Sequence, residues 1–476
     1  MLTGFQKLGW NRSCPRIWIE STRLQQLGFE AGTFLDVQFK ANDTLHLVPV
    51  GHQTRNRVSH RLMSGLHCPI IDLNSRRLLC EFQGHTEIKL VASYKMLQVS
   101  PSVRSFHIRR HREQNLPLQA IEYVAGGATL TSAITDDPRF KLVAAVEISP
   151  KFASHFALEH PGVPLYQCDI RDLDPGDLPP AAFMFASLPC TCFSTAGTAK
   201  KRLCGANELG DTGDLFLSFA HHVASQMPLA VMVENVPGFF GDSTIADRVL
   251  MAHLERLGYH VHYFQVNPWD EWAEPQDRKR GVMVATLFSR FYPTIPATPF
   301  LGTAGDYLDA PDPERDREEA ELIKNHIAGR DRHMTRHRAA GNRFGFSVIT
   351  HQSRRVPTIL RSYWKVNIGP FVECEGGVRL LRIPEIERLM GFVPKKEFTS
   401  RSYSTAVEIL GQGVQTRVFR QLVSQLGDFL EHMLKTGKVP APPQHRLLVD
   451  SQTRGPNRTV ARPGTGSVLE ARPGTK

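Results

Sequence analysis

The sequence predicts an α/β protein with a parallel sheet, preceded by a separate N-terminal β-rich unit. Two textures carry that expectation. Residues 1–115 alternate apolar and polar positions in short runs, the period of half-buried strands. From Leu118 onward, apolar runs alternate with helical stretches, as βαβ units do. A third observation locates the chemistry. The apolar run over 181–188 stops at Pro189-Cys190, and in open α/β sheets reacting groups gather just beyond the carboxyl ends of the strands.

With 476 residues, 41% of them hydrophobic, the chain can bury two or three domain cores. A net charge of +10 favours an anionic partner such as nucleic acid. No apolar stretch is long enough to span a bilayer and residues 1–10 lack a signal-peptide pattern, so a cytoplasmic protein without membrane contact is expected. The eight cysteines are scattered rather than framed, which suits reduced thiols.

The N-terminal unit, 1–115, reads as two similar halves. Over 15–50 a strand is followed by a helical turn and two further strands, and 69–101 repeats that order at about the same spacing. The first half resembles the swapped-hairpin barrels of bacterial transition-state regulators and related antitoxin-type proteins, which bind DNA as dimers. A small β domain that packs against the catalytic part fits the residues equally well. Polar, basic residues over 53–61 predict a linker, and 107–112 a second, solvated hinge.

In the α/β part the first strand, 118–125, runs through Glu122 into Gly126-Gly127, where the backbone can approach a ligand at a helix N-terminus. Glu147 lies near the end of the strand over 141–148, and Asp169 follows a short third strand. Glu122, Glu147 and Asp169 form a candidate nucleoside cradle, though each also suits a helix N-cap.

Cys190 is the candidate nucleophile. Beyond a strand end a thiol escapes the apolar core, and positive charge or backbone N–H groups lower its pKa so that it attacks as thiolate. An inert buried thiol is the plainer alternative. A metal site from Cys190, Cys192 and Cys204 with His221 or His222 fits poorly, since the spacing lacks the paired ligands of structural zinc sites. Glu234 closes the next apolar run, where poor solvation favours a protonated or hydrogen-bonding acid. Gln276, Arg278 and Arg280 precede another apolar strand. The arginines can bind a base or phosphate, pair with Glu234, or form an ordinary strand-entry charge cluster.

Pro189-Cys190-Thr191-Cys192-Phe193-Ser194, Glu234-Asn235-Val236 and Gln276-x-Arg278-x-Arg280, in this order and at these separations, resemble the motifs of cytosine-5 DNA methyltransferases. The resemblance spans about 118–435. Tyr123, Val124, Ala125, Gly126 and Gly127 look like the cofactor glycine loop, Glu147-Ile148 the ribose-binding acid and its neighbour, and Asp169-Ile170 the adenine-side acid. Residues 380–392 and Gly411-Gln412-Gly413-Val414 resemble the last two blocks. The resemblance implies a Rossmann-like methyltransferase that binds S-adenosyl-L-methionine through these residues and Pro189, holds no metal, and acts on double-stranded DNA. Cys190 would add to C6 of a flipped cytosine, Glu234 would hydrogen-bond its N3 and exocyclic amine, and Arg278 with Arg280 would orient the base and offset charge. It also implies a monomeric catalytic unit with a restriction-modification role beside a cognate restriction endonuclease, or an orphan or mobile-element role.

Against the family pattern, Val124 replaces an aromatic, Ala128-Thr129 replace glycines, Thr191 stands for Gln, and Gln412-Gly413 for Asn-Ser. The loop over 193–213, with Ser194, Lys200, Lys201 and Arg202, is expected to close over DNA, although lysines there are equally suited to solvent. By analogy the target-recognition region is 292–355. Its Arg343, Arg354 and Arg355, with Gln276, are candidate DNA contacts. The expected frame is 116–291 for cofactor and catalysis, 356–437 for the remainder with its C-terminal helix, and 438–476 as a disordered basic tail. Two rival functions stay open on these residues: a tRNA cytosine-5 methyltransferase, and a DNA-binding regulator whose altered glycine loop no longer holds cofactor.

Overall fold

The computed structural model describes residues 2–11, 13–40, 43–63, 65–114, 116–190, 193, 213–241, 245–339, 347–366, 369–394 and 396–436. The expectations for Ser194, Lys200, Lys201, Arg202, Arg343 and the tail 438–476 lie outside the described residues.

Seven strands, numbered in chain order, build the central sheet: β1 (Leu118–Tyr123), β2 (Phe140–Val146), β3 (Leu165–Tyr166), β4 (Phe183–Ser187), β5 (Ala230–Asn235), β6 (His260–Val266) and β7 (Arg280–Thr286). Their order is β3-β2-β1-β4-β5-β7-β6. β7 runs antiparallel to β5 and β6, and the other pairings are parallel. This is the expected Rossmann-like α/β architecture. β4 and β5 read as unbroken apolar runs because helices cover both faces of the sheet. Helices Thr129–Thr135 and Thr416–Thr436 pack on one face, and Leu215–Gln226 and Ala246–Arg256 on the other. Val418, Phe419, Leu422, Val423, Leu426, Phe429 and Leu430 recur at helical spacing and all enter the core.

A smaller lobe has its own core, to which Ala304, Leu308 and Ile349 contribute together with Val356, Ile359, Leu381, Ile386, Leu389 and Ile409. The boundary expected at 355 therefore runs through one core. The lobe also contains helix Pro313–Ala339, which periodicity did not announce because its residues are mostly polar or charged. Asp316 and Glu319 anchor its first half to Arg379 and Arg382, and Ile323 packs with Val366 and Phe371.

The N-terminal unit has internal two-fold order. Strand Cys14–Glu20, helix Arg23–Gln26 and strands Phe34–Lys40 and Thr44–Val50 recur as Leu66–Asn74, Arg76–Phe82, Glu87–Ser93 and Met96–Pro101. Equivalent strands of the two halves pair antiparallel: Cys14–Glu20 with Leu66–Asn74, and Thr44–Val50 with Met96–Pro101. Leu24 and Leu78, and Phe29 and Phe82, meet in a single core. Two sequence expectations change here. Instead of a linker over 53–61, strands Asn56–Arg57 and Ser59–Met63 form, their backbone groups taken up by neighbouring strands. Instead of a solvated hinge over 107–112, there is a helix, Val103–Gln114, with His107 and Ile108 buried. Arg104 Nη1 donates to the Leu287 carbonyl (3.1 Å) and its guanidinium lies over Phe288. The helix thus ties the N-terminal unit to the central sheet.

Candidate active site

Register places the candidate reacting groups. Ser187, the last residue of β4, pairs with Glu234 on β5, so Cys190, three residues further on, emerges at the same sheet edge. Glu234 also pairs with Val282 on antiparallel β7, which puts Arg280 on the same face as a diagonal neighbour. Arg280 Nε lies 2.8 Å from Glu234 Oε1, with both side chains largely buried.

Three contacts hold the Pro189-Cys190 turn. Asn235 Nδ2 donates to the Leu188 carbonyl (3.2 Å), while its Oδ1 accepts from Val236 N (2.8 Å). Phe193 N donates to the Cys190 carbonyl (3.0 Å), and the Phe193 ring stands edge-on to Phe239. The third is steric: a Cβ on Gly238 would lie 2.2 Å from the Phe193 carbonyl oxygen, so only glycine lets the two segments close.

The electrostatics are opposed. Cys190 reaches solvent on one side but is enclosed by protein on the others. That enclosure pushes its thiol pKa up, Arg280 pulls it down, Glu234 raises it, and Arg278 lowers it. Burial likewise pushes Glu234 above the usual carboxylate range against the pull of Arg280 and Arg278. A carboxyl that is readily protonated beside a cation-assisted thiol suits nucleophilic addition to a ring nitrogen heterocycle.

Arg278 does not face this space, which changes the expectation that it orients a base. Its guanidinium is fully buried and donates to the carbonyls of Ile359 (2.9 Å), Gly411 (2.9 Å) and Gly413 (3.1 Å from Nε). Burial opposes its charge, yet arginine stays protonated in proteins and these carbonyl oxygens satisfy it. Arg280 is the arginine that meets Glu234 at the sheet edge.

A second cradle adjoins it. The glycine loop has Val124 and Ala128 in left-handed conformations (φ 56° and 61°), strained for a residue with a Cβ. A Cβ on Gly127 would lie 1.9 Å from Ile409 Cγ2, and one on Gly413 2.3 Å from Thr129 Oγ1, so the loop and the Gly411-Gln412-Gly413 block close on each other backbone to side chain. Val414 N donates to Thr129 Oγ1 (3.2 Å). Glu147 accepts from Gly126 N (2.7 Å) and Ser149 N (2.8 Å). Beside it Ile148 is 59% exposed, and Leu217, across from Ile170, is 50% exposed. Ile170, Leu217, Ser218 and His221 line a cavity of about 520 Å³.

Other expected residues sit elsewhere. Glu122 is not at a solvent-facing strand end but fully buried, bonded to the Thr131 hydroxyl, because β1 is covered on both faces. Tyr123 turns into the core, its hydroxyl 3.2 Å from His222 Nδ1, so only its backbone faces the loop. Asp169 is held by Arg171, whose side-chain hydrogen bond keeps the carboxyl below its ordinary pKa. Gln276 is fully buried, which removes it from duplex contact in this state. Arg355 donates to Asp277 Oδ2 (3.0 Å) and lies over Trp269, and Arg354 is exposed. Among the described residues no His, Cys, Asp and Glu group could hold a metal. Sequence reading noted Thr129 only as a replaced glycine and did not single out Leu217; helix packing brings both to the cradle. Asn235 was visible within Glu-Asn-Val, but not as the clamp on Leu188.

The family model for C-5 cytosine-specific DNA methylase matches residues 118–428. The chain belongs to this family. Its reaction is the transfer of a methyl group to C5 of cytosine in DNA, and the family is S-adenosylmethionine-dependent. The type II methyltransferase M.NlaX of Neisseria lactamica is 30% identical over 263 residues, 54% of this chain and 80% of the relative. M.DsaV of Dactylococcopsis salina is 28% identical over 273 residues, 55% and 73% of the two chains. The crystal structure of S. pombe Dnmt2 methyltransferase superposes with a TM-score of 0.51 at 19% identity, covering 66% of this chain and 99% of that one, a likeness of fold. As a C-5 cytosine methylase the chain requires a cofactor cradle. The glycine loop, in which Gly127 has no room for a Cβ, the Glu147 carboxylate and the exposed Ile148 fit that group.

Proposed function

We propose that the enzyme methylates cytosine within a specific sequence of double-stranded DNA, using Cys190 as nucleophile, Glu234 as the acid facing the base and Arg280 as the cation that couples them. The observation that carries this reading is the convergence of the three side chains at one sheet edge, with Arg280 2.8 Å from Glu234. Cys190 thiolate adds to C6 of a base flipped out of the duplex, since the sheet edge cannot reach C6 in the stack. Glu234, whose burial favours protonation, donates to N3 and accepts from the exocyclic amine, drawing electron density away as the thiolate adds. Bound S-adenosylmethionine supplies the methyl group. C5 then loses its proton and Cys190 is expelled.

Ala125 to Gly127, Glu147-Ile148, Asp169-Ile170, Pro189 and Gln412 to Val414 hold the cofactor, with Glu147 gripping the ribose hydroxyls and Ile148 and Leu217 flanking the adenine. Arg278 acts by locking Gly411 and Gly413 in place. The type II names of the relatives support a restriction-modification role alongside a cognate endonuclease.

The test is incubation with tritiated S-adenosylmethionine and mixed-sequence duplex DNA, Cys190→Ser in parallel, with assay of 5-methylcytosine. Label in duplex DNA that disappears with Cys190→Ser is expected. Label in tRNA alone would overturn the substrate, and failure to bind S-adenosylmethionine would leave a DNA-binding regulator.

A further inference from the structure

The positive charge of the chain does not sit where the chemistry is. Residues 116–437, which carry the methylase, hold 34 lysines and arginines against 37 acids, whereas residues 1–115 hold 16 against eight. The catalytic frame must work on a polyanion with a slight excess of acids, while the β unit outside the family match carries the surplus that attracts one.

Pairing register shows where that surplus is displayed. Six strands of the unit form one sheet in the order Leu2–Lys7, Glu87–Ser93, Met96–Pro101, Thr44–Val50, Phe34–Lys40 and Asn56–Arg57. Leu35, Leu45, Leu47, Ile88, Leu97 and Val99 turn into the core, so the residues alternating with them face outward. On that outer face Phe5 pairs with Lys89 and Lys89 with Ser100, and Thr44 pairs with Lys40. A neighbouring row runs from Val91 through Gln98 and His46 to Gln38. Lys7 lies two residues beyond Phe5, on the same side, and both are exposed. Near the other end Phe34 pairs with Arg57, whose guanidinium lies 5.5 Å from the centre of its ring.

The lysines of this face are free, while the acids of the unit are engaged. Lys7, Lys40 and Lys89 make no ion pair among the described residues. Asp72 is paired with Arg16 (2.8 Å), Glu20 with Arg61 and Asp43 with Arg109 (3.7 Å). Glu87 accepts from the Ser102 hydroxyl (2.7 Å), and Asp36 from Gln38 Nε2 (3.0 Å).

We propose that this sheet face binds duplex DNA through its phosphates, with Lys7, Lys40, Lys89 and Arg57 as contacts, and holds DNA to a catalytic frame whose own net charge is negative. The inference goes beyond the methylation reading and does not depend on Cys190. Lys89 and Lys40 lie three strand spacings apart, about 14 Å, the scale of a major groove about 12 Å wide, so they suit phosphates flanking one groove. The middle row offers two amides and one imidazole rather than a run of aromatic planes, which suits a duplex better than a single strand that stacks its bases. Arg104 ties the unit to the central sheet at the Leu287 carbonyl, so DNA captured here stays at high effective concentration for the methylase.

The test is fluorescence anisotropy of the full-length enzyme with a labelled mixed-sequence duplex of about 30 base pairs, between about 50 mM and about 200 mM salt. Wild type would be compared with the triple variant Lys7→Ala, Lys40→Ala, Lys89→Ala and with the charge-preserving triple Lys7→Arg, Lys40→Arg, Lys89→Arg. The alanine triple is expected to bind about 10- to 100-fold more weakly at low salt and to lose about 2 to 3 from the slope of log affinity against log salt. The arginine triple should keep both. Binding is read without methyl transfer, so failure of the methylation reading would leave this result intact. An unchanged slope in the alanine triple would overturn the proposal. An equal loss in the arginine triple would overturn it too, by showing a disturbed fold rather than a lost charge. So would a loss confined to single-stranded DNA or RNA, or a loss of self-association in sedimentation with duplex affinity intact, which would make the face a contact between two copies of the chain.

Discussion

Asn235 Nδ2 donates to the Leu188 carbonyl at 3.2 Å, joining the strand that carries Glu234 to the turn that presents Cys190. The bond crosses between β5 and the end of β4, so it sets the distance between acid and nucleophile. Asn235→Ala is expected to lower kcat by about 10- to 100-fold through misplacement of the turn. The loss of folding stability should be only about 1–2 kcal/mol. Single-turnover methylation and urea melts on the same preparations separate the two effects, and equal losses in both would show the clamp to be structural only.

Removing Arg280 acts on the thiol. Enclosure raises the Cys190 pKa and Arg280 is the leading influence that lowers it, so in Arg280→Ala the thiolate forms at higher pH. Alkylation of Cys190 by iodoacetamide, followed by peptide mass spectrometry, should slow about 3- to 10-fold at neutral pH and recover in alkali. An unchanged rate would remove Arg280 from the nucleophile's activation.

Glu122 ties stability to pH. Burial, then the neighbouring Glu147, raise its folded-state pKa well above its unfolded value. A carboxyl shifted this way contributes stability that is present below the unfolded pKa and is lost as pH rises through the folded one. Wild-type unfolding free energy should therefore fall by about 1.4 kcal/mol per pH unit as pH rises above the unfolded carboxyl pKa, while folded Glu122 remains protonated, and Tm should fall with it. Glu122→Gln, which keeps the Thr131 partner, should flatten that slope. A parallel slope in the variant would place the pH dependence elsewhere.

The closeness of Gly127 to Ile409 is testable by a pair of substitutions. Gly127→Ala puts a methyl 1.9 Å from Ile409 Cγ2 and should cost about 1–3 kcal/mol together with cofactor affinity. Ile409→Ala alone costs a cavity. The double variant should recover a large part of the Gly127→Ala loss, a coupling that a thermal-shift cycle reads directly. Additive effects would mean that the loop and the C-terminal block are not in contact.

Arg278→Ala leaves the carbonyls of Ile359, Gly411 and Gly413 buried without a donor. The expected destabilisation is about 3–5 kcal/mol, with little rescue by lysine, whose point charge cannot reach three oxygens in a plane. Chemical denaturation would reveal it, and a stable, cofactor-binding Arg278→Ala protein would contradict the positional role.

Strand ends were legible in the sequence because a buried parallel strand is an apolar run with an abrupt stop. Cys190, Glu147 and Glu234 were found that way, and helix Thr416–Thr436 by its period. The same logic misplaced Glu122, since a carboxyl one residue before a strand's end looks identical whether it faces solvent or core. Helix Pro313–Ala339 was missed for a related reason: its partners are Arg379 and Arg382, distant in sequence, so the pattern of its own residues carries little periodic signal. The strands over 56–63 were hidden because their pairing partners lie in the opposite half of the N-terminal unit or across a turn.

What the sequence by itself determined is the strands of the central sheet, the C-terminal helix and the residue types at the strand ends. Hydrophobic period follows from local burial, and the motif residues sit at fixed distances from those periods. Only the tertiary structure decided which of two nearby arginines meets Glu234. Arg278 and Arg280 differ by two residues and share a charge, but the antiparallel register of β7 puts Arg280 beside β5, while the backbone carbonyls of 359–413 enclose Arg278. That choice depends on strand direction and on a chain segment more than eighty residues away, neither of which a local pattern encodes.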